Sequence, residues 1–129
     1  MTKTNQNLNI KINSMLFFGL SESKEYQITD YEVSLGNLQI LEVQIGIGNP
    51  DGEELFTFTV YSKKYWEDGI LNNHPPFKGY VVFNILNLQN ITDYTKDTID
   101  SVLPNSENYK EFAKNLSKTW YWEFEDYKQ

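Results

Sequence analysis

The stretch LQILEVQIGIGNPDGEELFTFTVYS, residues 38–62, carries the strongest structural signal in the chain. Apolar and polar side chains alternate in its first half, where the apolar members are Leu41, Val43, Ile45 and Ile47. They alternate again in its second half, where the apolar members are Phe56, Phe58 and Val60. Between them, Pro50 presets a turn angle and Gly52 tolerates a positive φ. Two alternating runs around a turn predict an antiparallel β-hairpin with one apolar row facing a core.

Other stretches extend the sheet. Alternation around Ile10 and Ile12 predicts a half-buried first strand, and the apolar run 15–20 that follows fits either a core loop or a continuation of that strand. Residues 31–35 predict another short strand. Residues 80–86 are apolar on nearly both faces, which favours a strand in the middle of the sheet.

The hydrophobic period changes to helical spacing after residue 88. One stripe consists of Ile91, Tyr94, Thr98, Ile99 and Val102, and a second of Tyr109, Phe112, Ala113, Leu116 and Trp120. Asn90 or Thr92 can cap the first helix, Pro104 ends it, and Ser106 is the expected cap of the second. Lys110, Lys114 and Lys118 fall on the solvated side of the second helix.

The C-terminal residues 120–129 are rich in large rings and acids. Read as a strand, Trp120, Trp122 and Phe124 share one face, and the opposite face carries Tyr121, Glu123, Glu125 and Tyr127. Such rings favour a chain end that is tied into the core, so Trp122→Ala should cost about 3 to 5 kcal/mol if that ring is buried. The order of elements predicts an α+β fold, in which an antiparallel sheet carries two helices on one face and ends in an aromatic strand. We expect one domain over residues 1–129, with residues 1–7 flexible.

Composition restricts the classes of function. The 129 residues include 18 acidic and 11 basic residues, a formal net charge of -7, and all basic residues are lysines. Nucleic acid is therefore an improbable direct partner, whereas a basic protein fits. The absence of cysteine fits a reducing compartment, and the chain has neither a signal peptide nor an apolar run that could span a membrane, so we expect a cytoplasmic protein with no membrane partner.

Catalytic and cofactor signals are weak. His74 is the only histidine and stands in an Asn-Asn-His-Pro-Pro loop without a serine in nucleophile context. Glu123 and Glu125 could form an acid–base pair, but on a strand face both would be solvated. Gly46-x-Gly48 lacks the third glycine and the helix of a nucleotide site, and predicts instead a bulge or close packing against an aromatic ring. We expect no cofactor, metal site or catalytic residue.

Four stretches carry a family resemblance: Ile45–Glu54, followed by Phe56–Val60, then Tyr65-Trp66 and the closing Trp122–Tyr127. In these stretches the chain resembles the immunity protein 8 family of bacterial polymorphic toxin systems. The resemblance spans most of residues 8–127. Pro50 stands two residues after Gly48, which departs from the family pattern.

The resemblance implies a small cytoplasmic protein, encoded beside a secreted toxin, that binds the effector domain of that toxin and neutralises it. The net charge would favour a basic toxin such as a nuclease. Candidate contact residues are Asp51, Glu53, Glu54, Tyr121, Glu123, Glu125, Asp126 and Tyr127.

Two alternatives stay open from the sequence. The first is a small enzyme that uses His74 or the pair Glu123/Glu125, which requires a deep pocket with converging titratable groups. The second is an adaptor domain with the same fold and no toxin partner.

Overall fold

The hairpin is the centre of the sheet in a computed structural model of the chain. The structure describes residues 10–21, 24–27, 39–49, 52–70 and 76–124. The strands are β1 (Lys11–Ser21), β2 (Lys24–Gln27), β3 (Ile40–Asn49), β4 (Gly52–Ser62), β5 (Tyr80–Phe83) and β6 (Tyr121–Trp122). The strand predicted over residues 31–35 and the flexible segment predicted over residues 1–7 lie outside the described residues.

The predicted hairpin register is confirmed. β3 and β4 pair antiparallel from Ile40 opposite Tyr61 to Asn49 opposite Gly52. Every member of the predicted apolar row is fully buried: Leu41, Val43, Ile45, Ile47, Phe56, Phe58 and Val60. A slip by one residue would turn this whole row to solvent, which fixes the pairing.

The remaining strands flank the hairpin in the order β2-β1-β3-β4-β5, with β6 also paired to β4. The apolar run 15–20 continues β1, which settles the choice between loop and strand. β1 pairs antiparallel with β3, and its register shifts between Ile12 and Ser14. β5 pairs with β4 in parallel.

The predicted central position of residues 80–86 is wrong. β5 covers only Tyr80–Phe83 and is the last strand in the order. Both faces of β5 are apolar because each of them packs against other side chains. Val81 and Phe83 pack against the core, whereas Tyr80 meets the ring of Tyr61.

Three helices complete the fold in the described part of the chain. Helix α1 (Lys63–Tyr65) continues as a π-helical turn over Trp66–Ile70. The others are α2 (Leu88–Val102) and α3 (Tyr109–Leu116). Pro104 lies in a 3-10 turn, Leu103–Asn105, directly after α2, as expected from a residue that cannot continue a helix.

The predicted helix caps are wrong. Asn87 caps α2 and Asn108 caps α3, since their side-chain oxygens accept from the amides of Asn90 and Glu111 at 2.8 Å. Ser106 is buried and donates instead to the carbonyl oxygen of Val102 at 3.0 Å. Several Asn, Ser and Thr residues precede each helix, and all of them can cap, so the sequence did not distinguish them.

The core lies between the sheet and helices α2 and α3. Phe58 of β4 contacts the rings of Tyr94 and Trp120, with centroids 5.1 and 4.9 Å away. The helices contribute Ile91, Ile99, Phe112, Ala113 and Leu116 to the same cluster. The α+β class is therefore confirmed, although β5 makes the sheet mixed.

Candidate protein-interaction site

The C-terminal stretch is tied to the sheet along β4. Trp122 lies opposite Phe56 and Tyr121 opposite Thr57. One residue further, Glu123 and Leu55 exchange two hydrogen bonds: the Glu123 amide donates to the Leu55 carbonyl at 3.1 Å, and Glu123 Oε2 accepts from the Leu55 amide at 2.8 Å. The Glu123 carboxylate thus takes the place of a backbone partner at this edge.

The predicted aromatic strand is shorter than its pattern. Regular pairing covers only Tyr121–Trp122. Trp120 is fully buried, Trp122 is half-buried and stacks on Phe56 with centroids 6.1 Å apart, and Phe124 is 38% exposed. Burial on this face therefore decreases from Trp120 to Phe124.

Glu54 is a structural carboxylate at the rim of the core. Its Oε1 accepts two hydrogen bonds, from Tyr109 OH at 3.0 Å and from Trp122 Nε1 at 2.9 Å. Tyr109 begins α3 and Trp122 belongs to β6, so this one oxygen joins the hairpin to a helix and to the last strand.

Glu53 lies on the opposite side of the sheet and is exposed. Its Oε2 accepts from Ser14 Oγ of β1 at 3.3 Å, across β3. A Cβ at Gly46 would collide with this carboxylate, and one at Gly48 would lie 2.7 Å from Asn13 Nδ2. Close packing at these glycines is confirmed, but the neighbours are polar side chains and not the aromatic ring that we expected.

The structure therefore brings four predicted contact residues to one end of the β4–β6 pair: Glu53, Glu54, Tyr121 and Glu123. The other predicted contacts, Asp51, Glu125, Asp126 and Tyr127, lie outside the described residues, as does His74. Within the set, Glu53, Glu54 and Glu123 each accept an internal hydrogen bond. Glu53, Tyr121 and Glu123 are exposed, whereas Glu54 is half-buried.

A cluster of aromatic side chains on the sheet face away from α2 and α3 was missed by the sequence reasoning. We call it the tyrosine patch and define it as Tyr61, Tyr65, Trp66, Tyr80 and Tyr121. Tyr61 stacks on Tyr65, with centroids 6.1 Å apart, and contacts Trp66 at 5.4 Å. Trp66 in turn stacks on Tyr80 at 4.7 Å.

Tyr121 lies on the same face of the sheet as Tyr61, because it pairs with Thr57 of β4. The pKa of Tyr61 is raised, first by burial and then by the phenols of Tyr65 and Tyr121. The Tyr121 ring also covers Gly79, where a Cβ would lie 2.5 Å from ring carbons, and Lys78 Nζ stands 4.9 Å from its centroid. The available signal for this face was that Thr57, Thr59 and Tyr61 alternate with the apolar row.

Neither metal binding nor the predicted enzyme alternative gains support from the described residues. They contain no group of three or more His, Cys, Asp or Glu side chains placed to hold a metal ion. A cleft of about 220 Å³ lies between β1 and α2, lined by Ile10, Lys11, Ile12, Lys96, Ile99, Asp100 and Leu103. Glu123 is not among these residues. In the same part of the chain, every helix is too short or too polar to cross a membrane.

Comparison with known proteins supplies the family. No curated protein and no solved structure matches the chain. The sequence model of the family described as Immunity protein 8 matches residues 17–127, which span the sheet from β1 to the C-terminal acidic stretch. This match covers most of the chain and includes the hairpin, the Tyr65-Trp66 pair and the Trp122-Glu123-Phe124 motif. The chain therefore belongs to the immunity protein 8 family, whose members are immunity proteins against polymorphic toxins and, as such, are not expected to be enzymes.

Proposed function

We propose that this chain protects a bacterial cell by binding its cognate toxin domain stoichiometrically in the cytoplasm. The family match over residues 17–127 carries the proposal. The described surface supports it, because two of the predicted contact residues, Glu53 and Glu123, are exposed at one end of the β4–β6 pair.

The proposed interface is the acidic end of the β4–β6 pair. Glu53 and Glu123 are exposed there, and Glu123 is held in place by its hydrogen bond from Leu55. The acids and tyrosine that complete the proposed contact set are Asp51, Glu125, Asp126 and Tyr127. A net charge of -7 favours a basic toxin and accelerates encounter with it. A nuclease, which needs positive charge to hold its substrate, would be such a toxin.

Growth rescue tests the proposal. The C-terminal domain of the exported protein encoded beside this chain is expressed in a bacterial host, with and without the chain, and the two are purified together. We expect toxicity alone, rescue on co-expression and a one-to-one complex. Toxicity that persists in the presence of folded chain, without a complex, would refute the assignment to that toxin.

Charge variants locate the interface. Glu53→Gln with Glu123→Gln removes two charges while leaving an oxygen that can still accept from Ser14 and Leu55. We expect slower association and a weaker dependence of affinity on salt concentration. The matched control removes two exposed acids from the helical layer, Asp97→Asn with Glu107→Gln. Equal effects of the two double variants would show that net charge, and not this surface, governs binding.

A further inference from the structure

The tyrosine patch is ordered before any partner arrives. Its rings contact one another at centroid distances from 4.7 to 6.5 Å, in the chain Tyr65–Tyr61–Trp66–Tyr80, with an additional Tyr61–Tyr80 contact. Aromatic side chains held by such packing lose little conformational entropy on binding. Tyrosine and tryptophan are also the residue types that most often dominate binding energy.

The patch is accessible at its two ends. Tyr65 is 38% exposed and Tyr121 is 42% exposed, whereas Tyr61 between them is 8% exposed. On β4, Tyr61 follows Thr59, Thr57 and Leu55 on the same face of the sheet. A partner that covered this face would therefore contact the exposed rings of Tyr65 and Tyr121, whereas Tyr61 is largely buried.

Electrostatics favour a cation over this surface. Lys78 Nζ already lies 4.9 Å from the centroid of Tyr121, which shows that a ring of the patch can receive an ammonium group. Carboxylates share this face of the sheet: Glu42 of β3 lies opposite Thr59, and Glu53 lies on the same face of β4 as Tyr61. Both the ring faces and these carboxylates attract positive charge.

We propose that the tyrosine patch is the centre of the toxin interface and that it receives lysine or arginine side chains of the toxin domain through cation–π contacts. The inference rests on the proposed function, which it deepens by naming the chemistry of the partner. The acidic end of the β4–β6 pair then steers association, and the patch determines how long the complex lasts.

Substitutions at Tyr65 test the patch with little risk to the fold, because this ring is partly exposed and belongs to the short helix α1. Tyr65→Leu removes the π face but keeps apolar bulk, and Tyr65→Phe keeps the π face. Phe77→Leu is the control, since Phe77 is 92% exposed and lies outside the patch. Binding to a catalytically inactivated toxin domain is measured by calorimetry, and thermal unfolding confirms that each variant is folded.

We expect Tyr65→Leu to weaken binding about tenfold or more, mainly through faster dissociation, and Tyr65→Phe and Phe77→Leu to have much smaller effects. Unchanged binding of Tyr65→Leu, or an equal loss of affinity in Phe77→Leu, would overturn the proposed role of the patch while leaving the proposed function intact. If the unsubstituted chain itself neither rescues growth nor binds the toxin domain, the proposed function fails and the inference fails with it.

Discussion

Trp122 and Glu54 are joined by a hydrogen bond of 2.9 Å from the indole Nε1 to carboxylate Oε1, and the same oxygen accepts from Tyr109 OH at 3.0 Å. One side chain that the sequence offered as a toxin contact is thus a junction between β4, α3 and β6. This acidic side chain at the hairpin end therefore connects elements of the fold, whether or not a partner is bound.

We therefore predict that Glu54→Ala destabilises the chain by about 1 to 3 kcal/mol, because it leaves two half-buried donors without their acceptor. Glu54→Gln retains a carbonyl oxygen and should cost less. Urea unfolding followed by circular dichroism measures both. Equal stability of the alanine variant and the unsubstituted chain would show that water replaces the carboxylate at no cost.

Gly79 and the Tyr121 ring define a second junction, between β5 and β6. Gly79 has φ +73°, and its amide donates to the Thr119 carbonyl at 2.8 Å. Gly79→Ala should destabilise the chain by at least about 1 to 2 kcal/mol, since a Cβ is strained at this φ and would also displace the ring.

Gly69→Ala is the matched control for Gly79→Ala. A Cβ at Gly69 meets nothing within 4 Å, and this residue lies in a helical turn, where alanine is favoured over glycine by up to about 1 kcal/mol. The melting temperatures of the two variants should therefore shift in opposite directions. Similar losses in both would contradict the packing argument at Gly79.

The two tryptophans of the C-terminal motif should differ in their effect on stability. Trp120 is fully buried against Phe58, so Trp120→Ala should cost about 3 to 5 kcal/mol. Trp122 is only half-buried, so Trp122→Ala should cost less than the 3 to 5 kcal/mol expected for a buried ring. Urea unfolding of the two variants measures the difference, and a larger loss at Trp122 would contradict it.

Local patterns predicted the hairpin and the helical stripes, because burial on one face of a strand or helix leaves a periodic trace in the sequence. The position of β5 could not be predicted in this way. It pairs in parallel with β4, so the two strands do not form a hairpin that a local turn could reveal. Apolar character on both faces does not distinguish an edge strand covered by side chains from a central one.

The candidate site was predictable only in part. Glu53, Glu123 and Tyr121 follow from the hairpin end and the C-terminal alternation. The tyrosine patch combines residues from β4, the helical turn after it, β5 and β6, which are far apart in sequence. No short-range pattern predicts such a cluster. The alternation in β4 predicts the face on which Tyr61 lies, but it does not indicate which rings surround it.

The burial of the Tyr94 hydroxyl gives the alkaline limit of stability a structural origin. Tyr94 OH accepts from Trp120 Nε1 at 3.0 Å, and burial raises the pKa of Tyr94 above its usual value of 10.0. Above pH 10 the unfolded chain releases the Tyr94 proton while the folded chain retains it, so the folded state binds more protons and the free energy of unfolding falls as pH rises. Tyr94→Phe removes both this pH dependence and the hydrogen bond. We expect the variant to be less stable at pH 8 and to lose less further stability between pH 9 and 11 than the unsubstituted chain. Urea unfolding across this range measures how the free energy of unfolding of each protein changes with pH. An equal change in both would show that Tyr94 ionises in the folded chain as readily as in the unfolded one.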